Sequence, residues 1–170
     1  MGAGMKDAVL AKLFSDRRPT RWVTRERPKI DRIACPWLVR RFVDAGAVFL
    51  YVPTDDVFAT ADREGAVAFD LPGAPFSHDG PKCSFDAFIE RFGLGGDGAL
   101  AKLAQIVRGA DTDRHDLAPE AAGLHAISLG LAGMIDSDHD LLERGMLIYD
   151  ALYAWARNGG ARHAWRPDEA

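Results

Sequence analysis

The sequence predicts an α+β fold: a helix-dominated single domain in which a small sheet of about three short strands is followed by four helices. Three short segments of strand type lie in the first 70 residues of the chain. Four helical patterns of apolar residues then follow one another. A length of 170 residues, with 48% hydrophobic and 27% charged residues, suits one globular domain.

We divide the chain into an N-terminal arm of residues 1–20, a domain of residues 21–158 and a flexible tail of residues 159–170. A short amphipathic segment at residues 7–14 belongs to the arm, and a charged sequence ending in proline stops it. Glycines, a proline and mixed charges in the last residues predict that the tail frays.

Three strands are predicted from their residue types. Arg21–Arg25 alternates polar and apolar side chains, residues 47–52 form a continuous apolar run, and residues 66–70 are again mostly apolar. We expect the resulting sheet to be small and partly antiparallel.

The helix between the first two strands has two alternative starts. Apolar pairs four residues apart favour a start near Pro36 with Cys35 as the N-cap, because proline is tolerated in a first helical turn. A start at Asp31 is the competing interpretation. Thr54 is then the predicted cap of a helix that Gly65 ends.

Caps and spacing define the four later helices. Ser84, Asp97 and Ser137 are predicted N-caps, Gly109 ends the second of these helices, and Pro119 opens the third. Before them, residues 71–82 contain three prolines and two glycines, which predicts a shaped loop suited to a functional site.

Composition excludes several classes of protein. With 21 basic and 25 acidic residues the formal charge is −4, so direct nucleic-acid binding by this domain is not expected. No apolar run approaches the roughly 18 residues of a membrane span, and the N-terminus does not resemble a secretory signal. We therefore expect a cytoplasmic protein with no membrane partner and two reduced thiols.

Cys35 is the candidate catalytic residue. At a helix N-terminus its thiolate would meet unpaired N–H groups, and Arg32 would add positive charge, so its pKa would fall. The alternative is an inert, buried cysteine beside Trp37.

Basic residues in the first quarter of the chain predict an anion site, since guanidinium groups match the geometry of tetrahedral oxyanions. The alternative is a solvated surface neutralised by interleaved acidic residues. The candidate anion-binding residues are Lys29, Arg32, Arg40 and Arg41.

His78, Asp111 and Glu120 are the candidate metal ligands. Imidazole and carboxylate groups suit Mn, Fe or Zn, although the spacing matches no strong motif and the site must be assembled from separate segments. For Asp111 the alternative is a turn or cap role. For Glu120 it is a favourable interaction with a helix dipole.

Long motifs resemble one known family, the C-terminal domain of ChrB-type chromate-resistance proteins, also described as chromate resistance exported proteins. The resemblance spans about residues 21–157. The residues that carry it are 22–38, 41–42, 49–53, 76–80, 83–86, 106–111, 119–124 and 149–153.

The resemblance implies a role in chromate sensing or resistance. In the family this domain often follows an N-terminal region linked to transcriptional control of a chromate-efflux operon. Only about 20 residues precede the shared region here, so we expect a stand-alone or excised domain without that DNA-binding role. Both a homodimer and pairing with a regulatory domain stay open.

We therefore expect a chromate-responsive domain that binds a small anion such as chromate or sulfate, a transition metal ion, or both. One alternative is a small metal- or thiol-dependent redox enzyme in chromate or oxidative-stress detoxification. Another is an interaction domain without a ligand site of its own.

Overall fold

The computed structural model describes Ala11 and residues 20–160. The remainder of the predicted N-terminal arm, with most of its amphipathic segment, and residues 161–170 of the predicted tail lie outside the described residues. None of the described helices is long and apolar enough to cross a membrane.

Three parallel strands form the sheet: β1 (Arg21–Arg25), β2 (Val48–Val52) and β3 (Val67–Ala68). Their order is β2-β1-β3, so β1 is central. The expectation of a partly antiparallel sheet is wrong for these strands. Each connection between them carries a helix, and such crossovers join parallel strands.

Two helices lie between the strands, α1 (Asp31–Leu38) and α2 (Val57–Glu64). Four more follow the sheet, which confirms the predicted α+β class and the order of its elements. These are α3 (Ser84–Arg91), α4 (Gly98–Asp111), α5 (Ala121–Met134) and α6 (Asp138–Arg157).

Helix α1 begins at Asp31, so the competing start is correct and Cys35 is not an N-cap. Pro36 lies inside the helix, where it has no N–H to donate to the carbonyl of Arg32. The hydroxyl of Tyr51 on β2 donates to that carbonyl instead, at 3.1 Å. A π-helical turn at Val39–Val43 follows the proline.

Two predicted caps are confirmed, because the Asp97 side chain accepts from two α4 N–H groups and Ser137 accepts from one in α6. Ser84 is instead the first residue of α3, and Cys83 is its N-cap.

Three other predicted helix ends are also shifted. A short 3₁₀ turn at Thr54–Asp56 precedes α2, in place of a side-chain cap by Thr54. Helix α4 continues past Gly109 to Asp111. Helix α5 begins two residues after Pro119. A glycine inside α4 is required by packing, since a Cβ at Gly109 would lie 2.9 Å from the Arg114 carbonyl oxygen.

The sheet separates two apolar clusters. The smaller one packs α2 against one face through Val23, Val57 and Ala61. The larger one contains Trp22 and lies between the sheet and the other helices. Rings packed around Trp22 form an aromatic cluster beneath the loop of residues 71–82; these are Phe69, Phe76, Phe88 and Phe92.

Candidate metal centre

Polar side chains from separate segments meet beyond the carboxyl ends of β1 and β3. Arg25 is the last residue of β1, Asp31 opens the following helix, and Asp70 comes two residues after β3. The carboxyl ends of parallel strands share one edge of a sheet, so the loops that leave them converge there. His78 reaches this edge from the loop, and Asp111 reaches it from the end of α4.

The ring of His78 lies among three carboxylates. Its Nε2 is 3.2 Å from Asp111 Oδ2, 3.4 Å from Asp70 Oδ1 and 3.5 Å from Asp31 Oδ2. One N–H cannot donate to three acceptors at once, and all three distances exceed the usual length of a charge-assisted hydrogen bond. They are close to the separation of about 3.3 Å between two ligand atoms around a tetrahedral ion with bonds of about 2.0–2.1 Å.

Asp31 is the most buried member of this group, with 1% of its side chain exposed. Its Oδ2 accepts a hydrogen bond from the Ser84 N–H at 2.7 Å. Its Oδ1 is buried and has no hydrogen-bond partner among the described residues. A buried carboxylate oxygen without a partner is costly, and a cation bound there would satisfy it.

Asp70 is held by several donors. The Ser84 hydroxyl donates to Oδ1 at 2.8 Å, and Arg25 donates to Oδ2 at 2.9 Å. Arg32 Nε lies 3.4 Å from the same Oδ2. These contacts fix Asp70 beside the site, and the Ser84 contacts to both aspartates tie the start of α3 to it.

Burial and charge shift the proton equilibria of the group. Burial, reinforced by the charge of Asp111, raises the pKa of Asp31 to about 7. The surrounding carboxylates, Asp111 most strongly and then Asp31 and Asp70, raise the pKa of His78 to about 12. For Asp70, burial acts to raise the pKa, but the bonds from His78, Ser84 and Arg25 outweigh it and lower the pKa. The carboxylates thus hold a cationic imidazole, and a metal ion would replace its proton.

The group is accessible from outside. The His78 side chain is 42% exposed and that of Asp111 is 19% exposed. A cavity of about 230 Å³ opens beside His78, and Lys82, Glu90 and Arg91 are among the residues that line it. An ion can therefore approach His78 and Asp111 from solvent.

Two of the three predicted metal ligands, His78 and Asp111, meet in this group. The structure does not bring Glu120 to them: it lies just before α5 and lines a different pocket with Lys102 and Gln105. Asp31 replaces it as the third candidate ligand, since its oxygen lies within 4.8 Å of the other two ligand atoms. The sequence signal that points to Asp70 is its position two residues after β3, and the signal for Asp31 is its position at the start of the helix that follows β1.

The predicted anion-binding residues have different partners in the structure. Arg32 contacts Asp70 and donates to the carbonyl of Glu26. Arg40 pairs with Glu143 on α6, and Arg41 pairs with Asp150 on the same helix. Lys29 is exposed. The carboxylate partners of Arg40 and Arg41 thus come from α6, far along the chain.

The premise for catalysis by Cys35 is wrong. Its side chain is fully buried inside α1, and burial, reinforced by Asp31 and Asp70, raises its pKa well above the ordinary value. Cys83 is also fully buried, and burial again raises the thiol pKa. Neither position favours a thiolate.

We therefore expect both native thiols to react slowly with iodoacetamide between pH 7 and 9, and to react readily once urea unfolds the chain. Peptide mass spectrometry after timed labelling measures Cys35 and Cys83 separately. Labelling of native Cys35 at the rate of an unfolded thiol at pH 7 would show that the buried position is not maintained in solution.

The fold and the site together define a small α+β domain with a histidine–aspartate centre at the carboxyl edge of a parallel sheet. The family model described as "ChrB, C-terminal domain" matches residues 22–156, and the chain belongs to this family. Protein ChrB of Cupriavidus metallidurans is 38% identical over 132 residues, which cover 78% of this chain and 39% of that protein. The resemblance seen in the motifs is confirmed. No solved structure matched the chain.

Proposed function

We propose that the domain binds a divalent transition metal ion through Asp31, His78 and Asp111, and that this metal site serves chromate resistance. The observation that carries the proposal is the position of His78 Nε2, which lies 3.2–3.5 Å from three carboxylate oxygens. The Asp31 carboxylate supports it, because its Oδ2 lies 3.5 Å from His78 Nε2 while its buried Oδ1 has no hydrogen-bond partner among the described residues.

The donor set indicates the class of metal. Carboxylate oxygens with one imidazole suit Mn²⁺, Fe²⁺ or Zn²⁺ better than ions that prefer thiolates. Asp70, held by Arg25 and Ser84, supports the ligands from beside the site. Such outer contacts orient metal ligands and tune affinity.

The charge of the site connects a metal ion with an oxyanion. Three carboxylates and the guanidinium groups of Arg25 and Arg32 leave one net negative charge when His78 is neutral. A divalent ion reverses this to one positive charge. We therefore propose that chromate binds the metal-loaded site, where Arg32 adds a donor beside Asp70.

Two further parts of the expected function stand as proposals. The chain spans 39% of the length of its ChrB relative. We propose that the domain acts in the cytoplasm, together with a regulatory partner, in the response to chromate. A metal-dependent redox reaction would use the same centre. A thiol-dependent one loses support, because both cysteines are buried with raised pKa values.

The test is a Mn²⁺ titration of chelator-treated protein, followed by calorimetry and by elemental analysis after gel filtration. We expect wild type to bind one Mn²⁺ at this centre, and His78→Ala or Asp31→Asn to bind it at least about tenfold more weakly. Asn at position 31 keeps an acceptor for the Ser84 N–H, so the fold should be retained.

The exposed His139 provides a matched control, since it lies on α6 and contacts the Phe49 carbonyl. His139→Ala should bind Mn²⁺ as wild type does. Equal, substoichiometric Mn²⁺ in wild type and in His78→Ala would refute the proposed centre.

A further inference from the structure

We propose that Asp113, His115 and His125 form a second metal site, which takes a divalent ion with a preference for imidazole, such as Ni²⁺, Cu²⁺ or Zn²⁺. One ligand atom from each of the three residues lies within 4.8 Å of the others. The two imidazole rings stand edge to face with their centroids 5.1 Å apart. This site shares no residue with the first centre and does not depend on the proposed function.

The Nε2 atom of His115 is available as a metal ligand. Its Nε2 is buried and has no hydrogen bond among the described residues. The nearest charged group is Asp113, whose Oδ1 lies 3.5 Å away. A buried ring nitrogen usually has a partner, and an ion between the imidazole and the carboxylate would supply one.

His125 is oriented as metal-binding histidines commonly are. Its Nδ1 lies 3.0 Å from the Ala110 carbonyl oxygen, which can only accept a hydrogen bond. Nδ1 therefore carries the proton, and in the neutral ring Nε2 keeps its lone pair. A backbone carbonyl that fixes the tautomer in this way is a typical outer contact of a ligating histidine.

The backbone around the three residues is tightly held. The Arg114 N–H donates to the Gly109 carbonyl at 2.9 Å, and the turn packs so closely on Gly109 that no side chain fits there. The Arg114 guanidinium pairs with the Asp116 carboxylate at 2.7 and 2.8 Å. Its positive charge is thus paired with a residue that is not one of the proposed ligands. The Asp113 side chain is 85% exposed, so the site opens to solvent.

Two imidazoles and one carboxylate differ from the donor set of the first centre. Imidazole suits Zn, Cu and Ni, whereas carboxylates suit Mn. Ni²⁺ therefore serves as the probe for the second site, and Mn²⁺ serves for the first. Untagged protein is required, because an oligohistidine tag would itself bind Ni²⁺.

The experiment uses the full chain carrying Asp31→Asn and His78→Ala, which removes the first centre. We expect this protein to bind one Ni²⁺ by calorimetry. Adding His115→Gln or His125→Gln should weaken binding at least tenfold. Asp113→Asn should weaken it severalfold, and it tests the site at an exposed position that carries no risk to the fold. The control His139→Ala should bind as the parent does.

Electron paramagnetic resonance of the Cu²⁺ form gives a second readout. Nitrogen hyperfine splitting should show two imidazole ligands in the parent and one in each histidine variant. Unchanged Ni²⁺ affinity in both histidine variants, or a loss of Ni²⁺ in His139→Ala, overturns the second site. Loss of Mn²⁺ binding alone bears on the first centre and leaves this result unaffected.

Discussion

Chromate is expected to bind the metal-loaded domain about 100-fold more tightly than the same domain after its metal has been removed by a chelator. A divalent cation and a dianion 4 Å apart attract each other by about 4 kcal/mol even at the dielectric constant of water. Partial loss of hydration offsets some of this attraction, and about 2.7 kcal/mol corresponds to 100-fold. Calorimetry with the Zn²⁺-loaded protein measures the affinity, since Zn²⁺ has no redox chemistry of its own.

Variants of the same site separate the contribution of the metal ion to chromate binding from that of Arg32. His78→Ala should lose the metal-dependent gain, because it loses a metal ligand. Arg32→Gln should retain metal yet bind chromate and sulfate several-fold more weakly, because it removes a cation beside Asp70. Arg41→Gln, whose guanidinium pairs with Asp150 on α6, should change neither affinity. Equal chromate binding by loaded and chelated wild type contradicts the metal-dependent mechanism.

The fold was largely predictable because local rules control most of its elements. The apolar runs of the strands, the Asp97 and Ser137 caps and the order of the four later helices all follow from short-range chemistry. Strand direction was not predictable from these rules. It depends on how the connecting helices pack, and the expected antiparallel pairing failed for that reason.

The start of α1 shows how a tertiary contact overrides a local signal. Pro36 favours the first turn of a helix, yet here it lies in the helix interior. The Tyr51 hydroxyl accounts for this, because it donates to the carbonyl that the proline leaves without an N–H partner. That partner comes from β2, 19 residues along the chain, and no local pattern reveals it.

The candidate centre was predictable in part. The constrained loop pointed to His78, and the polar end of α4 pointed to Asp111. Asp31 and Glu120 are both carboxylates, and their positions in the fold decide which one joins the centre. Helix α1 places Asp31 at the carboxyl edge of the sheet, whereas the turn after α4 places Glu120 in another pocket. Burial reverses the expectation for Cys35 as well, because it raises the thiol pKa that a helix end would have lowered.

The loop that carries His78 is anchored by one aromatic side chain. The Phe76 ring lies 4.4 Å from Phe88 and 5.5 Å from both Trp22 and Phe92, measured between ring centroids. Its carbonyl accepts from the Asp70 N–H at 2.8 Å. Phe76 thus ties both the histidine loop and the Asp70 segment to the aromatic cluster.

Phe76→Ala is expected to lower the free energy of unfolding by about 3–5 kcal/mol, because it removes a fully buried ring from a packed core. Mn²⁺ affinity should fall as well, although Phe76 contacts no metal, since the loop then holds His78 less firmly. Urea denaturation without metal measures the first effect, and Mn²⁺ calorimetry measures the second.

Two further variants make this prediction decisive. Leu147→Ala, at a side chain that is 70% exposed, should change the free energy of unfolding by less than about 0.5 kcal/mol and leave Mn²⁺ affinity unchanged. If Phe76→Ala does not fold, Phe76→Leu keeps much of the volume and should show smaller losses of stability and affinity in the same direction. A Phe76→Leu protein with wild-type stability and reduced Mn²⁺ affinity would mean that the ring orders the loop without stabilising the core. Unchanged values in both measurements would show that the loop does not depend on this anchor.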